Sequence, residues 1–385
     1  MTAPNRLRVA IVTETWPPEI NGVAQTVHAL ARGLLEIGHS VELVRPRQKQ
    51  EADMTEVPAI EQLLLPGGAV PRYPGLRFGL PAMGRLLRRW AVRRPDALYV
   101  ATEGPLGYSA VAAARRLRVP ACTGFHTRFD DYAGHYGAGW LAPTVAAYLR
   151  RFHNRAAATL VPTGELASFL TSRGFANVLL LRRAVDTTLF TPARRDDALR
   201  ARWGLAADDL AMLHVGRIAP EKNVELALRA AAAIRSRHPR ARLVVVGDGP
   251  ERERLAAAHG DVLFAGIRRG EDLARHYASG DLFLFPSASE TFGNVTLEAL
   301  ASGLPVVAFD YGAAREHVRD DACGARVALA DDDAFVDAAV RVAAREAHSR
   351  VPRERVRAAV AGTSVVAVAA QLAELLRAAR VEGAA

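Results

Sequence analysis

Short apolar runs alternate with longer amphipathic stretches along most of the chain. Residues 7–12, 40–45, 97–102, 120–126, 158–163 and 178–183 are strand-length and apolar, which predicts buried strands of a parallel sheet. Residues 23–37, 106–117 and 142–157 carry helical spacing between them. Residues 51–75, rich in Pro and Gly, read as irregular. After a polar, Pro-containing connection at 186–209 a second series begins, with strands at 211–216, 242–247, 262–267, 282–286, 305–309 and 325–329. A last helix is expected over 365–380. The pattern predicts an α/β protein of two doubly wound domains in tandem, with ligand bound in a cleft between them. The expected boundaries are 1–185, 186–364 and a terminal helix in 365–385 that packs back on the first domain.

The second series centres on residues 282–307, which read as strand, loop, helix, strand. Gly293 or Asn294 opens the helix and Gly303 closes it. A helix N-terminus at the carboxyl end of a strand attracts phosphate through its unpaired N–H groups and dipole. Glu290 stands in the loop before it and Glu298 about one turn inside. A carboxylate there repels phosphate but accepts hydrogen bonds from a sugar diol. Together they suggest a ligand with phosphate beside hydroxyls, such as a nucleotide sugar. On spacing alone a loop charge and a solvated helix position explain the two acids equally well.

Charge and cysteine content narrow the field. The 385 residues carry a net charge of +9, which fits nucleic acid, an anionic membrane, an anionic small substrate or a solubilising surface. Basic residues are not interleaved with aromatics on strands, which argues against nucleic acid. Cys122 and Cys323 form neither a disulfide framework nor zinc spacing, and a reducing cytoplasm fits them. No uninterrupted apolar run reaches the roughly 18 residues of a membrane span, and Met1 to Ala10 lacks the long apolar run expected of a signal peptide.

Several positions carry candidate chemistry. Arg217 and Lys222 follow the first strand of the second series, where a guanidinium fork and an ammonium could neutralise a diphosphate without metal; surface charge is the plain alternative. Gly247-Asp248-Gly249 begins like a dinucleotide loop, but Arg252 holds the third glycine position, so it reads as a turn near a ligand. His126 ends a strand and could meet a sugar hydroxyl or serve structurally. Asp331-Asp332-Asp333 reads as a helix cap rather than a metal site. His135, His153 and His214 have no metal spacing either. Residues 77–94 form a basic amphipathic helix. It reads as an ordinary surface helix, or as a membrane-surface element through Arg85, Arg88, Arg89, Arg93 and Arg94.

The residues from Glu290 to Glu298 resemble the E-x7-E motif of retaining GT-B glycosyltransferases of family 4. His214 to Ile218 with Glu221-Lys222-Asn223 is similar to that family's donor-phosphate loop, and further blocks follow in order over nearly the whole chain. The opening Thr13-Glu14-Thr15-Trp16-Pro17-Pro18 with Asn21-Gly22 resembles the glycolipid-making subgroup, which includes GDP-mannose-dependent α-mannosyltransferases and sulfoquinovosyl transferases.

The resemblance implies the GT-B fold, two Rossmann-like domains facing a central cleft. It also implies transfer of a hexose with retained configuration to a lipid or glycan hydroxyl, without cofactor or metal. GDP-mannose is the expected donor and a UDP-sugar the runner-up. It implies Arg217 and Lys222 at the donor diphosphate, Glu298 at the ribose, and Glu290 at the transferred sugar with the backbone of Phe292, Gly293, Asn294 and Val295 beside it. Gly22 would let the first loop approach the phosphate, His126 would contact the donor sugar, and Ile267 the nucleobase. The expected location is the cytoplasm, or peripherally the inner face of the membrane. Two positions depart from the family pattern: Ala184 replaces the glycine before Val185-Asp186, and the first loop has only Gly22 where some relatives have two glycines. A nucleotide-sugar epimerase or a phosphorylase on the same fold is the competing enzyme, and a nucleic-acid-binding protein the competing class.

Overall fold

A computed structural model of the chain describes residues 6–19, 22–48, 59–69, 77–126, 142–287, 289–290 and 292–382. The readings made at 1–5, Ile20 and Asn21, at 51–58 and 70–75, at 127–132, at His135 and at Thr291 lie outside the described residues. The chain divides into two compact units: Met1–Ala184 with Val365–Ala385, and Val185–Ser364.

The first unit is built on a parallel sheet of seven strands, in the order β3-β2-β1-β6-β7-β8-β9. These are β1 (Arg8–Val12), β2 (Ser40–Pro46), β3 (Glu61–Leu65), β6 (Ala97–Val100), β7 (Ala121–Gly124), β8 (Ala158–Val161) and β9 (Val178–Leu180); β4 (Gly67–Ala69) and β5 (Arg77–Gly79) form a separate antiparallel pair. The side-chain alternation of β1 divides the core. Val9 and Ile11 join one apolar cluster, and Ala10 and Val12 the other. On the first face the helices Gly22–Glu36 and Val365–Glu382 pack together through Leu30, Leu34, Val368 and Leu372. A Cβ on Gly33 would lie 2.7 Å from Ala369 Cβ, so only glycine permits that approach.

The second unit repeats the plan with six parallel strands, ordered β12-β11-β10-β13-β14-β15. They are β10 (Ala211–Val215), β11 (Arg242–Val246), β12 (Leu263–Gly266), β13 (Leu282–Phe285), β14 (Val306–Phe309) and β15 (Gly324–Val327). β10 pairs with β11 on one side and β13 on the other, so the strand order reverses between β10 and β13. Such a switch point opens a crevice at the carboxyl ends of the two strands. At their amino ends Asp281 anchors the sheet. Its carboxylate accepts from Ala211 N at 2.9 Å and pairs with Arg200 at 2.8 Å, Arg195 at 3.1 Å and Arg353 at 3.3 Å.

Several readings are corrected. Residues 61–65, expected to be irregular, form β3; Glu61 and Gln62 obscured a strand whose apolar residues Leu63 to Leu65 come late. The stretch 186–209 is not a bare connection: it holds the helix Asp197–Arg202, and Phe190, Leu199, Trp203 and Leu205 enter the core. The helix Gly164–Ser172 was missed, though Thr163 caps it by accepting from Leu166 N at 3.1 Å. Within 77–94 only Met83–Val92 is helical. That helix turns Leu86 and Trp90 inward, and Trp90 donates its indole N–H to buried Glu42 at 2.9 Å. Arg89 donates to Glu42 at 2.7 Å, and Arg89 and Arg93 both pair with Glu61. Arg94 reaches Arg118 O at 3.0 Å. Arg85 and Arg88 are exposed and have no such partner among the described residues.

Ala184 has no positive φ, so the glycine it replaces is not needed for the backbone here. Asp331 caps the helix Asp332–His348, accepting from Ala334 N at 3.0 Å. Among the described residues no helix is long and apolar enough to cross a membrane, and no group of His, Cys, Asp or Glu is placed to hold a metal ion.

Candidate active site

The loop after β10 carries Arg217 and Lys222, and it is held by backbone contacts from its neighbour. Ile218 N donates to Asp248 O at 2.9 Å, and Glu251 N to Ile218 O at 3.1 Å. A Cβ on Gly247 would stand 1.9 Å from Gly216 O, and one on Gly249 2.2 Å from Ile218 O. The Gly-Asp-Gly sequence therefore exists so that two loop backbones can touch. One turn of 3-10 helix, Pro220–Lys222, then leads to Asn223 in the left-handed region. Arg217 is exposed and its ion pair is with Glu221, at 3.2 Å.

The loop after β13 faces this one across the switch point. Buried Ser287 directs its Oγ to Glu221 O at 3.4 Å and to Glu290 Oε1 at 3.3 Å. Lys222 Nζ closes the same corner by pairing with Glu290 Oε1. Tyr311 donates to Ser287 O at 2.7 Å from the far side. Gly293, at φ 91°, turns the chain into the helix Asn294–Ala301. Buried Phe292 anchors the turn, its carbonyl accepting from Ala313 N at 2.7 Å. The first amides of that helix, including Asn294 and Val295, have no partner inside it. They open at the carboxyl end of β13, where helix dipole and free N–H groups favour an anion.

Glu298 lies on the next turn, half-buried. Burial pushes its carboxyl up to about 7, against the hydrogen bond from Tyr277 Oη at 2.8 Å. Tyr277 is raised well above the usual phenol range by its own burial and by Glu298. At the floor of the site His214 is fully buried and pushed down to about 4, chiefly by burial, with Lys222 adding to the effect. It is a neutral ring whose Nδ1 meets Leu284 O at 2.9 Å. Ile267, just past β12, stands 55 % exposed, unusual for an isoleucine.

The structure thus brings Lys222 and Glu290 into contact, with Arg217 in the same loop and Glu298 one helical turn on. Gly22 and His126 belong to the other unit. Gly22 is the first residue of its helix and exposed. His126 is buried just past β7, with Nε2 2.8 Å from Tyr99 Oη. A Cβ on Gly124 would stand 2.3 Å from Tyr99 Oη and 2.5 Å from His126 Nε2, so glycine leaves room for that bond. Burial, with Arg183 and His153 nearby, holds His126 well below the usual imidazole range, so the ring is neutral. Sequence reasoning passed over Ser287, Tyr277 and Tyr99. Tyr277 and Tyr99 each orient a predicted residue from more distant chain, where no local pattern marks such a partner, while Ser287 acts from within the loop of Glu290 itself.

Comparison with known proteins agrees with this fold. Residues 20–189 match the model described as Glycosyltransferase Family 4, and residues 209–345 that described as Glycosyl transferases group 1. A GDP-mannose-dependent alpha-mannosyltransferase of Mycobacterium tuberculosis is 36 % identical over 314 residues, covering 80 % of this chain and 81 % of that protein. The sulfoquinovosyl transferase SQD2 of Arabidopsis thaliana is 31 % identical, covering 82 % of this chain and 62 % of that one. Among solved structures, a sucrose-phosphate synthase from Thermosynechococcus elongatus superposes with a TM-score of 0.75 at 21 % identity, over 97 % of this chain and 99 % of that chain, a likeness of fold. Two Rossmann-like units of the GT-B kind, the paired loops at a switch point and these relatives lead to one conclusion: the chain belongs to glycosyltransferase family 4.

Proposed function

We propose that the chain is a retaining hexosyltransferase that moves mannose from GDP-mannose to a hydroxyl of a lipid or glycan acceptor. The observation that carries this reading is the contact of Lys222 with Glu290 across the switch point, beside the free end of the helix Asn294–Ala301. A diphosphate needs cations and N–H donors, and the hexose attached to it needs a carboxylate; this corner offers both within one loop pair. The family assignment supports transfer, and the M. tuberculosis relative supports GDP-mannose.

In this reading the C1–O bond to the diphosphate lengthens first, giving an oxocarbenium-like sugar beside a departing anion. Arg217, Lys222 and the helix N-terminus stabilise the charge that develops on the phosphate, with no metal required. The acceptor oxygen bonds to C1 from the same face, and its proton passes to the leaving phosphate oxygen. Glu290 is held by Lys222 and Ser287 and binds the transferred sugar rather than attacking it. Glu298 takes the ribose hydroxyls and Ile267 the base. His126, as a neutral ring, serves the sugar as a hydrogen-bond partner. The first unit takes the acceptor. Attachment to an anionic membrane from the cytoplasmic side rests on Arg85 and Arg88, since Arg89 and Arg93 are already paired with acids.

A screen of labelled GDP- and UDP-sugars, with and without lipid acceptor, tests the assignment. GDP-mannose should be consumed only when acceptor is present, giving an α-linked product. Conversion of a sugar nucleotide without acceptor would favour an epimerase. Preference for a UDP-sugar would move the donor assignment to the runner-up.

A further inference from the structure

Arg183 follows β9 and is only 7 % exposed. It makes no hydrogen bond and no ion pair among the described residues. Its charged neighbourhood holds no compensating carboxylate: the contact that favours its charge is the neutral phenol of Tyr99. Burial lowers the guanidinium to about 10. A buried cation without a partner costs several kcal/mol and persists only where something else requires it. Buried Arg200, by contrast, has Asp281 and four carbonyls around its terminal nitrogens.

Arg183 lines a small, partly open pocket together with Thr26, Tyr99, His126 and Pro162, and no acidic residue lines it. The pocket sits where β7, β8 and β9 end, on the carboxyl edge of a parallel sheet, the side on which such sheets bind ligands. Thr26 belongs to the first turns of the helix Gly22–Glu36, whose dipole adds positive potential. His126 supplies a second orphan. Its Nε2 is engaged with Tyr99 Oη at 2.8 Å, while Nδ1 is buried without a partner. The pocket holds an unpaired guanidinium and an unpartnered imidazole nitrogen, and no carboxylate.

We propose that this pocket is an oxyanion subsite of the acceptor, in which Arg183 receives a carboxylate, sulfonate or phosphate group carried by the molecule that is glycosylated. The source assigned to that anion rests on the reading above, that the first unit takes the acceptor. The anion-binding chemistry of the pocket does not. A planar fork suits a two-oxygen anion. The enzyme would then prefer anionic acceptors over neutral ones of the same shape.

The test compares wild type with Arg183→Met and Arg183→Lys in the full chain. Thermal unfolding is followed in sodium sulfate and in sodium chloride at equal ionic strength. Sulfate should raise the wild-type midpoint by a few degrees beyond chloride, should do so weakly in Arg183→Lys, and should not in Arg183→Met. In chloride, Arg183→Met should unfold at the same or a higher temperature, because an uncompensated charge has been removed. A structural arginine would behave oppositely, and a lower midpoint with an unchanged sulfate response overturns the proposal. For transfer, octyl glucuronide is compared with octyl glucoside; the ratio of their kcat/KM values should favour the glucuronide and fall at least about tenfold in Arg183→Met. An unchanged ratio overturns the acceptor assignment. So does weakened GDP binding in the variant, which would give the anion to the donor. If no sugar moves in any arm, the transferase reading fails while the sulfate response still decides the pocket.

Discussion

Lys222 and Glu290, 68 residues apart in sequence, form an ion pair between the loops of β10 and β13. Each is the residue on which a donor sugar diphosphate would depend, and each partly occupies the other. Replacing Glu290 by Gln releases the ammonium for phosphate while removing the carboxylate that would meet the sugar. Binding and turnover should therefore separate. In Glu290→Gln, GDP should bind as tightly as in wild type or up to about threefold tighter, while kcat falls about 100-fold or more. Calorimetry with GDP and initial rates with GDP-mannose check this; a parallel loss in both would mean that the acid holds the nucleotide.

Glu298 gives a pH signature. Its carboxyl is raised by burial from 4.5 to about 7, so between those values the unfolded chain ionises it and the folded protein does not. The stability it contributes is fully present below 4.5 and is lost as pH rises through about 7. Binding of a ribose diol draws on the ionised form, which accepts hydrogen bonds. GDP affinity should rise from about pH 6 to about pH 8 in wild type and lose that part of its slope in Glu298→Gln. Equal slopes in both proteins, measured by calorimetry across this range, would remove Glu298 from the ribose.

Asp281 predicts where the second unit fails. Burial alone would raise its carboxyl, but Arg200, the Ala211 N–H, Arg195 and Arg350 outweigh it and hold the group below its ordinary 3.8. Its contribution is present above 3.8 and is lost as pH falls through the lower folded value. Asp281→Asn strands Arg200 and its neighbours as buried, uncompensated charge, at a cost of about 3–5 kcal/mol. Denaturant unfolding measures it; a loss under about 1 kcal/mol would show that the arginines find other partners.

The arginines of the helix Met83–Val92 and its end should divide by role. Arg85→Glu with Arg88→Glu should weaken co-sedimentation with anionic vesicles and leave the unfolding midpoint unchanged. Arg89→Ala removes contacts to Glu42 and Glu61 and should lower stability by about 1–3 kcal/mol. Binding to neutral vesicles equal to that on anionic ones would count against any electrostatic attachment.

How much of this was legible in the sequence follows from range. Buried parallel strands are continuous apolar runs, so β1, β10 and β13 announce themselves, and Gly293 marks a helix start because only a left-handed residue fits there. The E-x7-E spacing placed Glu290 and Glu298 correctly at one helix entrance. β3 escaped because an edge strand beginning Glu61-Gln62 has little apolar signal. Contacts made between distant segments left no local trace: nothing near Lys222 foretells Glu290 as its partner, and nothing near Glu298 foretells Tyr277. The Gly247-Asp248-Gly249 turn was legible as a close approach, but what it approaches, the backbone of Gly216 and Ile218, required the fold.

The loop after β10 as the seat of the donor diphosphate is tested most directly by GDP-mannose turnover in Lys222→Ala, measured beside the unfolding midpoint of the same protein. The account predicts a loss of about 2–4 kcal/mol in transition-state stabilisation, roughly 30- to 1000-fold in kcat/KM, with the midpoint within a few degrees of wild type. Turnover at the wild-type rate in a folded Lys222→Ala would contradict it.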